Sequence, residues 1–153
     1  MGHVKDHIRI NDPEDGKRIM ALAGGGVFNP LAETVIARVV DGAFVGGAAY
    51  GNFTGRSCEM HTAGVRPRWV SRDLLWTCFD YPFTQLGVEK VFGRVQASNE
   101  AALKFDLNLG FREEARLKDV YPDGDLVVLS MYRQDCRWLN LRPRGYLPNT
   151  RGD

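Results

Sequence analysis

The best candidates for acid–base chemistry are Glu59 and His61, which are separated by one residue in a segment with the character of a β-strand. Successive side chains of a strand point to opposite faces, so this spacing puts the carboxylate and the imidazole on the same face. Because histidine titrates near neutral pH, the two residues could act as a general base or a proton relay. An outward-facing polar strand edge explains them equally well.

A group of arginines, Arg66, Arg68 and Arg72, follows shortly after this strand. Ser71 lies among them and is suited to cap the start of a helix. Guanidinium groups form charge-assisted hydrogen bonds with phosphate oxygens, and a helix N-terminus favours an anion. The stretch therefore predicts a phosphate site, with solvation of a loop as the alternative.

The composition is that of an ordinary globular domain. The chain has 153 residues, of which 44% are hydrophobic and 25% charged, and its formal net charge is +1. We predict one domain over residues 1–139 and a Pro/Gly/Arg-containing tail over 140–153. The balanced charge does not indicate nucleic acid binding. The absence of a long apolar run and of a signal peptide predicts a cytoplasmic protein that does not bind a membrane.

The cysteines and histidines do not form a metal-binding pattern. Cys58, Cys78 and Cys136 are widely spaced and odd in number, which is typical of buried thiols rather than of a disulfide framework or a zinc site. His3 and His7 are four residues apart but lie outside the predicted helices, and His61 is distant from both in the sequence. We therefore predict no metal.

Turn and cap signals indicate the elements that position these residues. Strands are predicted at 7–10, 33–40, 43–53, 57–65, 91–95, 111–121 and 126–133, and the second, third and fourth form an antiparallel meander. A first helix begins after Asp12 and ends at the glycines 24–26, which we interpret as a flexible connector. Ser71 begins a second helix that Pro82 kinks or ends, and Asn99 caps a third that ends at Gly110.

The most specific motif lies in the third helix. Asn99-x-x-Ala102-Leu103-x-Phe105, followed by 109–111 (LGF), resembles the N-x-x-A-I/L and LGF signature of the GCN5-related N-acetyltransferases. The order of the elements resembles the same family, and the segments 69–72 (WVSR) and 135–139 (DCRWL) resemble its compact phage-encoded members. The resemblance implies an α+β, three-layer fold whose twisted mixed sheet splays open between its fourth and fifth strands, here 57–65 and 91–95. Acetyl-coenzyme A would lie in that split as cosubstrate, in the host cytoplasm if the gene is phage-encoded.

The family binds pyrophosphate with a loop of the form Q/R-x-x-G-x-G/A. Arg66 matches the first position, Ser71 is a small residue at the second glycine, and Trp69 replaces the first glycine, which is a departure. The resemblance implies that Arg66 and Arg72, with the backbone of Val70 and Ser71, hold the pyrophosphate. The indole of Trp69 would either point away or lie on the cofactor.

The resemblance also implies contacts closer to the reacting atoms. Asn99 and Phe105 would contact the cofactor arm, and a backbone N–H near Gly64 or Val65 would donate to the oxyanion. Either Glu59 or His61 would deprotonate the amine.

Asp106 occupies the position at which many members of the family have a tyrosine that protonates the leaving thiolate. An ionised carboxylate cannot donate a proton unless its pKa is raised. The proton would come from Asp106 with a shifted pKa, from water, or from a hydroxyl such as that of Tyr132; alternatively, Asp106 is a solvated residue on the helix face.

Together these features predict an N-acetyltransferase that moves an acetyl group from acetyl-coenzyme A to a primary amine by direct attack. The acceptor would be a protein N-terminus, an aminoacyl group or a small amine. The alternative is a non-catalytic acyl-coenzyme A-binding or protein-interaction module that keeps the fold, since Trp69 and Asp106 depart from the family pattern. The aromatic segment 76–83 could serve a homodimer or the core.

Overall fold

The computed structural model describes residues 4–141 and 143. Within them, seven strands form one sheet: β1 (Asp6–Ile10), β2 (Thr34–Val40), β3 (Ala43–Gly51), β4 (Ser57–Gly64), β5 (Lys90–Gln96), β6 (Arg112–Tyr121) and β7 (Gly124–Tyr132). Three α-helices accompany the sheet: α1 (Pro13–Ala23), α2 (Arg72–Asp80) and α3 (Glu100–Leu109). Each predicted strand and helix is present, with bounds that differ by a few residues.

The sheet is mixed, as predicted. Its strand order is β1-β2-β3-β4-β5-β7-β6. The pair β4–β5 is parallel, and the other neighbouring pairs are antiparallel. The meander β2–β3–β4 and the closing hairpin β6–β7 therefore lie on either side of one parallel junction.

Local chemistry sets the helix ends. The side chains of Asp12, Ser71 and Asn99 accept hydrogen bonds from backbone N–H groups in the first turns of α1, α2 and α3. Gly24 and Gly110 follow α1 and α3 with φ of 69° and 113°, a left-handed conformation that glycine adopts without steric cost. The caps fix where each helix meets the sheet.

The two faces of the sheet carry separate cores. On one face, Ile19 and Met20 of α1 pack with Phe28 and residues of β2 and β3. On the other face, α2 and α3 cover a larger core that includes Phe79, Phe83 and Leu109. Helices therefore lie on both sides of the sheet, which is the predicted three-layer α+β arrangement.

The segment 76–83 belongs to the second core. After Asp80, α2 continues into a π-helical turn, Tyr81–Gln85, which contains Pro82. Phe79 and Phe83 are 0% and 1% exposed. Residues 77–83 are therefore packed inside the chain, whereas Trp76 at the start of the segment is half-buried.

The predicted tail, 140–153, lies outside the described residues apart from 140, 141 and 143. Just before it, Arg137 Nη2 and Trp138 Nε1 donate to the carbonyls of Asn108 and Leu109, at 2.6 Å and 2.7 Å. These bonds satisfy the C-terminal end of α3. In the part of the chain described, no helix has the length and apolar character needed to cross a bilayer.

Candidate active site

The sheet opens between β4 and β5. Their parallel register runs from Ser57↔Lys90 to Glu59↔Phe92 and stops there. Beyond this point β4 stays paired with β3, and β5 stays paired with β7. A cleft of about 780 Å³ fills the gap and is bounded by α3 and by residues 21–26 at the end of α1. The predicted splay is therefore present.

Alternation along β4 assigns its side chains to opposite faces of the sheet. The odd-numbered residues face α1: Ala63 packs on the α1 core, and a β-carbon at Gly25 would lie 3.1 Å from His61 Nδ1. The even-numbered residues face α3, where Thr62 Oγ1 donates to Asp106 Oδ1 at 3.4 Å. Both His61 and Asp106 line the cleft, which therefore reaches both faces.

The backbone of β4 also alternates. The N–H of Val65 donates to the carbonyl of Val45 on β3 at 3.0 Å, so the prediction that it is free to bind an oxyanion is wrong. In an antiparallel pair, successive N–H groups point to opposite sides of the strand. The N–H groups of Thr62 and Gly64 therefore point away from β3 and toward the cleft, and Gly64 keeps the predicted donor position.

Glu59 is held too firmly to act as a base. It is 2% exposed, and it accepts hydrogen bonds from Arg94 at 2.6 Å and 3.1 Å and from Asn52 at 2.8 Å. Burial raises its pKa, but the interactions with His61 and Arg94 outweigh burial and lower the pKa to about 2. The carboxylate is thus ionised under all working conditions.

His61 is the group beside Glu59 that can accept a proton. Its Nε2 lies 3.7 Å from Glu59 Oε2, and the residue is 8% exposed. An ionised carboxylate at this distance can hold an imidazole in a fixed orientation. The two residues therefore lie together, as predicted. Glu59 is the ionised partner, and His61 is the group that can accept a proton.

Asp106 is not a solvated helix residue. It is half-buried against β4, where burial raises its pKa from 3.8 to about 6, although the Thr62 hydroxyl and His61 act in the opposite direction. A carboxyl with this pKa is protonated in a useful fraction of molecules near neutrality. Tyr132 lies elsewhere, with its ring 5.3 Å from Lys90 Nζ, whereas Tyr121 lines the cleft.

The similarity of this chain to known proteins is found in the structure and not in the sequence. No family model matches the chain, and no curated protein is similar in sequence. Mutant forms of the spermidine/spermine N-acetyltransferase SpeG from Vibrio cholerae superpose with a TM-score of 0.68 at 18% identity, covering 89% of this chain and 98% of that chain. The chain has the fold of the GCN5-related N-acetyltransferases.

Two further structures share this acetyltransferase fold. SpeG from Vibrio cholerae in complex with CoA and spermine gives a TM-score of 0.66 at 17% identity, over 88% of this chain and 98% of that chain. Ard1 from Thermoplasma volcanium gives 0.65 at 17% identity, over 83% and 97%. The similarity extends over almost the whole length of each of these proteins.

In this acetyltransferase fold, the unusual Trp69 packs against the sheet. Its indole lies over Gly46 and Gly64, which are directly opposite each other on β3 and β4. A β-carbon at either glycine would overlap the ring. On its other side, the ring centroid lies 5.3 Å from that of Phe105 on α3. The cross-strand glycine pair therefore accommodates the tryptophan.

Trp69 and Phe105 stand between two cavities. Both line the main cleft and also a second cavity of about 610 Å³, which is formed by residues 64–70 and Phe105. Three predicted cosubstrate residues, Val65, Arg66 and Val70, line this second cavity. The structure therefore places these three next to one another and next to Phe105.

The remaining predicted cosubstrate residues lie nearby. Ser71 caps α2 through its hydroxyl, 3.1 Å from the Leu74 nitrogen, and Arg72 is the exposed first residue of that helix. Asn99 lines the main cleft while it caps α3. Arg66 is exposed, and its charge contributes to the lowered pKa of Asp6.

The structure adds residues that the motifs did not indicate. Arg94 and Tyr121 line the cleft, Thr62 bonds Asp106, and Arg38 on β2 bonds the loop before α2. Arg38 and Arg94 are charged residues inside otherwise apolar strand segments. A charged residue within an apolar strand could have indicated both arginines from the sequence, because a charge at a buried strand position requires a specific partner.

Neither cavity carries a metal-binding group. Among residues 4–141 and 143, no cluster of three or more His, Cys, Asp or Glu side chains could hold an ion. The three cysteines are buried and unpaired, which agrees with the interpretation of them as core thiols.

Proposed function

We propose that the protein is an N-acetyltransferase that moves an acetyl group from acetyl-coenzyme A to a primary amine by direct attack. The observation that carries the proposal is the arrangement of His61 and Asp106 in one cleft that reaches both faces of the splayed sheet. A base on one face and an acid on the other match a reaction in which one substrate loses a proton and the other gains one.

The reaction follows from this arrangement. His61 takes a proton from the ammonium or the attacking amine, and the nitrogen forms a bond to the acetyl carbon. The N–H groups of Thr62 and Gly64 stabilise the resulting oxyanion, since they point into the cleft. When the C–S bond breaks, Asp106 in its protonated form donates to the thiolate. Glu59 and Arg94 act indirectly by holding His61.

The cosubstrate would lie on the α3 side. Arg66 and Arg72, with the backbone of Val70 and Ser71, would bind the pyrophosphate at the start of α2. Asn99 and Phe105 would contact the arm that carries the thioester. The fold shared with a SpeG structure in complex with CoA supports this placement.

The acceptor would enter from the α1 side, past the uncharged glycines 24–26. Of the described residues that line the cleft, the acidic one is Asp106, which belongs to the α3 face. A polyamine carries several positive charges and would need acidic partners at its mouth of entry. The site therefore favours an acceptor with a single amine, such as a protein N-terminus, an aminoacyl group or a small monoamine, over the polyamine acceptor named for SpeG.

Release of free thiol tests the proposal. Purified protein is incubated with acetyl-coenzyme A and a panel of peptide, amino-acid, monoamine and polyamine acceptors, and His61→Gln serves as the matched inactive control. Acceptor-dependent thiol release supports the enzyme. Binding of coenzyme A by calorimetry without release for any acceptor would instead favour the non-catalytic acyl-coenzyme A-binding module.

Two narrower proposals concern the origin of the gene product and its assembly state. The resemblance to compact phage-encoded members leads us to propose a phage gene product that acts in the host cytoplasm. A homodimer could use the half-buried Trp76 of the segment 76–83 but not residues 77–83, which are buried in the chain. Light scattering coupled to gel filtration measures the assembly state.

A further inference from the structure

Arg38 on β2 makes contacts with the loop that precedes α2. Its Nη1 donates to the carbonyl of Arg68 at 3.0 Å and to the carbonyl of Trp69 at 2.9 Å. Its Nε and Nη2 donate to the two carboxylate oxygens of Asp6 at 3.0 Å and 2.8 Å. The guanidinium thus has four hydrogen bonds and is 13% exposed. Asp6, Arg38 and two consecutive peptides of the loop form one connected unit.

These contacts fix the direction of the loop's backbone N–H groups. In a trans peptide the N–H points opposite to the carbonyl of the preceding residue. Because the carbonyls of Arg68 and Trp69 both point at one nitrogen of Arg38, the N–H groups of Trp69 and Val70 both point the other way. Arg38 lies outside the lining of the second cavity, whereas Trp69 and Val70 belong to it.

The two N–H groups are also available. In the described part of the chain, neither the Trp69 nor the Val70 nitrogen donates a hydrogen bond. Arg68 has a φ of 59°, the left-handed conformation that brings successive N–H groups together in a concave anion-binding arrangement. The loop achieves this without the glycine that Trp69 replaces.

We propose that Arg38 is a positioning residue for cosubstrate binding: it holds the carbonyls of residues 68 and 69 so that the N–H groups of residues 69 and 70 face the pyrophosphate. The inference rests on the proposed function and deepens it. It explains how a loop with a bulky residue at the glycine position presents its backbone to phosphate, and it gives Asp6 the part of holding Arg38 in place.

The arginine fork is required for this arrangement. A guanidinium reaches a carboxylate and two carbonyls at once, whereas an ammonium is a compact charge that cannot span them. Arg38→Lys therefore keeps the charge and loses the geometry, and Arg38→Met loses both. If Arg38 acted only by its charge, Arg38→Lys would bind cosubstrate like the wild type.

The experiment measures the Kd of coenzyme A by calorimetry, and kcat and KM for acetyl-coenzyme A and for S-acetylpantetheine, which lacks the pyrophosphate. We expect Arg38→Met and Arg38→Lys to raise the Kd and KM for the coenzyme A forms about tenfold, as loss of one or two charge-assisted contacts predicts. The kcat and all values for S-acetylpantetheine should stay within about twofold. Asp6→Asn should show the same selectivity with a smaller effect.

Arg9→Met is the matched control. Arg9 on β1 forms a similar bidentate pair with Asp15 of α1, at 2.7 Å for both bonds. The Arg9→Met substitution should lower the melting temperature of the protein without changing the Kd for coenzyme A. The proposed role of Arg38 would be overturned if its variants lost as much activity with S-acetylpantetheine as with acetyl-coenzyme A. An unchanged Kd for coenzyme A in these variants would also overturn it. Absence of coenzyme A binding by the wild type would instead overturn the proposed function.

Discussion

The hydroxyl of Thr62 donates to Oδ1 of Asp106 across 3.4 Å and joins the open edge of β4 to α3. This bond favours the ionised carboxylate, whereas burial favours the neutral acid, and burial has the larger effect. In the proposed reaction, the resulting pKa of about 6 would allow Asp106 to donate the proton for which other members of the family use a tyrosine.

The pH dependence of kcat/KM should report this acid. We expect activity to fall as the pH rises above about 6, because Asp106 loses its proton. Asp106→Asn should remove this descending limb and lower the rate about a hundredfold. Thr62→Val removes the bond that lowers the pKa of Asp106, so it should move the limb to higher pH. A limb unaffected by either substitution would exclude Asp106 as the acid.

Stability should depend on the same group. The folded pKa of Asp106 is raised from 3.8 to about 6, so its favourable contribution is complete below the unfolded pKa and is lost as the pH rises through about 6. Asp106→Asn does not titrate. Relative to wild type, its free energy of unfolding should therefore rise between pH 4 and pH 8 by an amount on the order of 2 kcal/mol. Urea unfolding at the two pH values measures the difference; equal values would contradict the raised pKa.

His61 and Glu59 should differ in their effect on the rate. His61→Gln removes the base, so we expect kcat/KM to fall about a hundredfold. Glu59→Gln leaves the imidazole in the cleft but removes its carboxylate partner, and it should cost about tenfold. Steady-state kinetics with the best acceptor measure both. If Glu59→Gln lost more activity than His61→Gln while both proteins were folded, the assignment of His61 as the base would be reversed in favour of Glu59.

The glycine pair under Trp69 should be sensitive to a single methyl group. Gly64→Ala puts a β-carbon into the indole, so we expect a loss of about 1–3 kcal/mol in the free energy of unfolding. The loss should largely disappear when Trp69→Ala is also present. A double-mutant cycle by chemical denaturation measures this coupling. Additive effects would mean that the strain arises elsewhere.

Much of the fold could be predicted because its signals are local. Asp12 followed by Pro13, the turn at Asp41-Gly42 and the Asn99 cap each act within a few residues, so sequence spacing determines them. The position of β7 between β5 and β6 is not determined by such local signals. It depends on which strand covers the free edge of β5, and the two hairpin strands are not distinguished by any local pattern.

The candidate site could be predicted only in part. Strand alternation indicates His61 as a candidate, and the resemblance to the family indicates Asp106, which the sequence alone does not distinguish from a solvated helix residue. The Arg94–Glu59 and Arg38–Trp69 hydrogen bonds connect residues 35 and 31 positions apart, and such pairs leave no periodic trace. The sequence therefore left the choice between Glu59 and His61 open, because the pKa of Glu59 is lowered in part by Arg94, which sequence spacing does not bring near it.

The alternation of side chains along β4 has a consequence for how this protein can change. In the proposed reaction, odd-numbered positions meet the amine and even-numbered positions meet the acyl donor, so amino-acid replacements can retune one preference while leaving the other intact. Insertion or deletion of one residue would exchange both sets of side chains at once. Libraries that vary residues 61 and 63 at constant strand length are therefore the natural route to new acceptors.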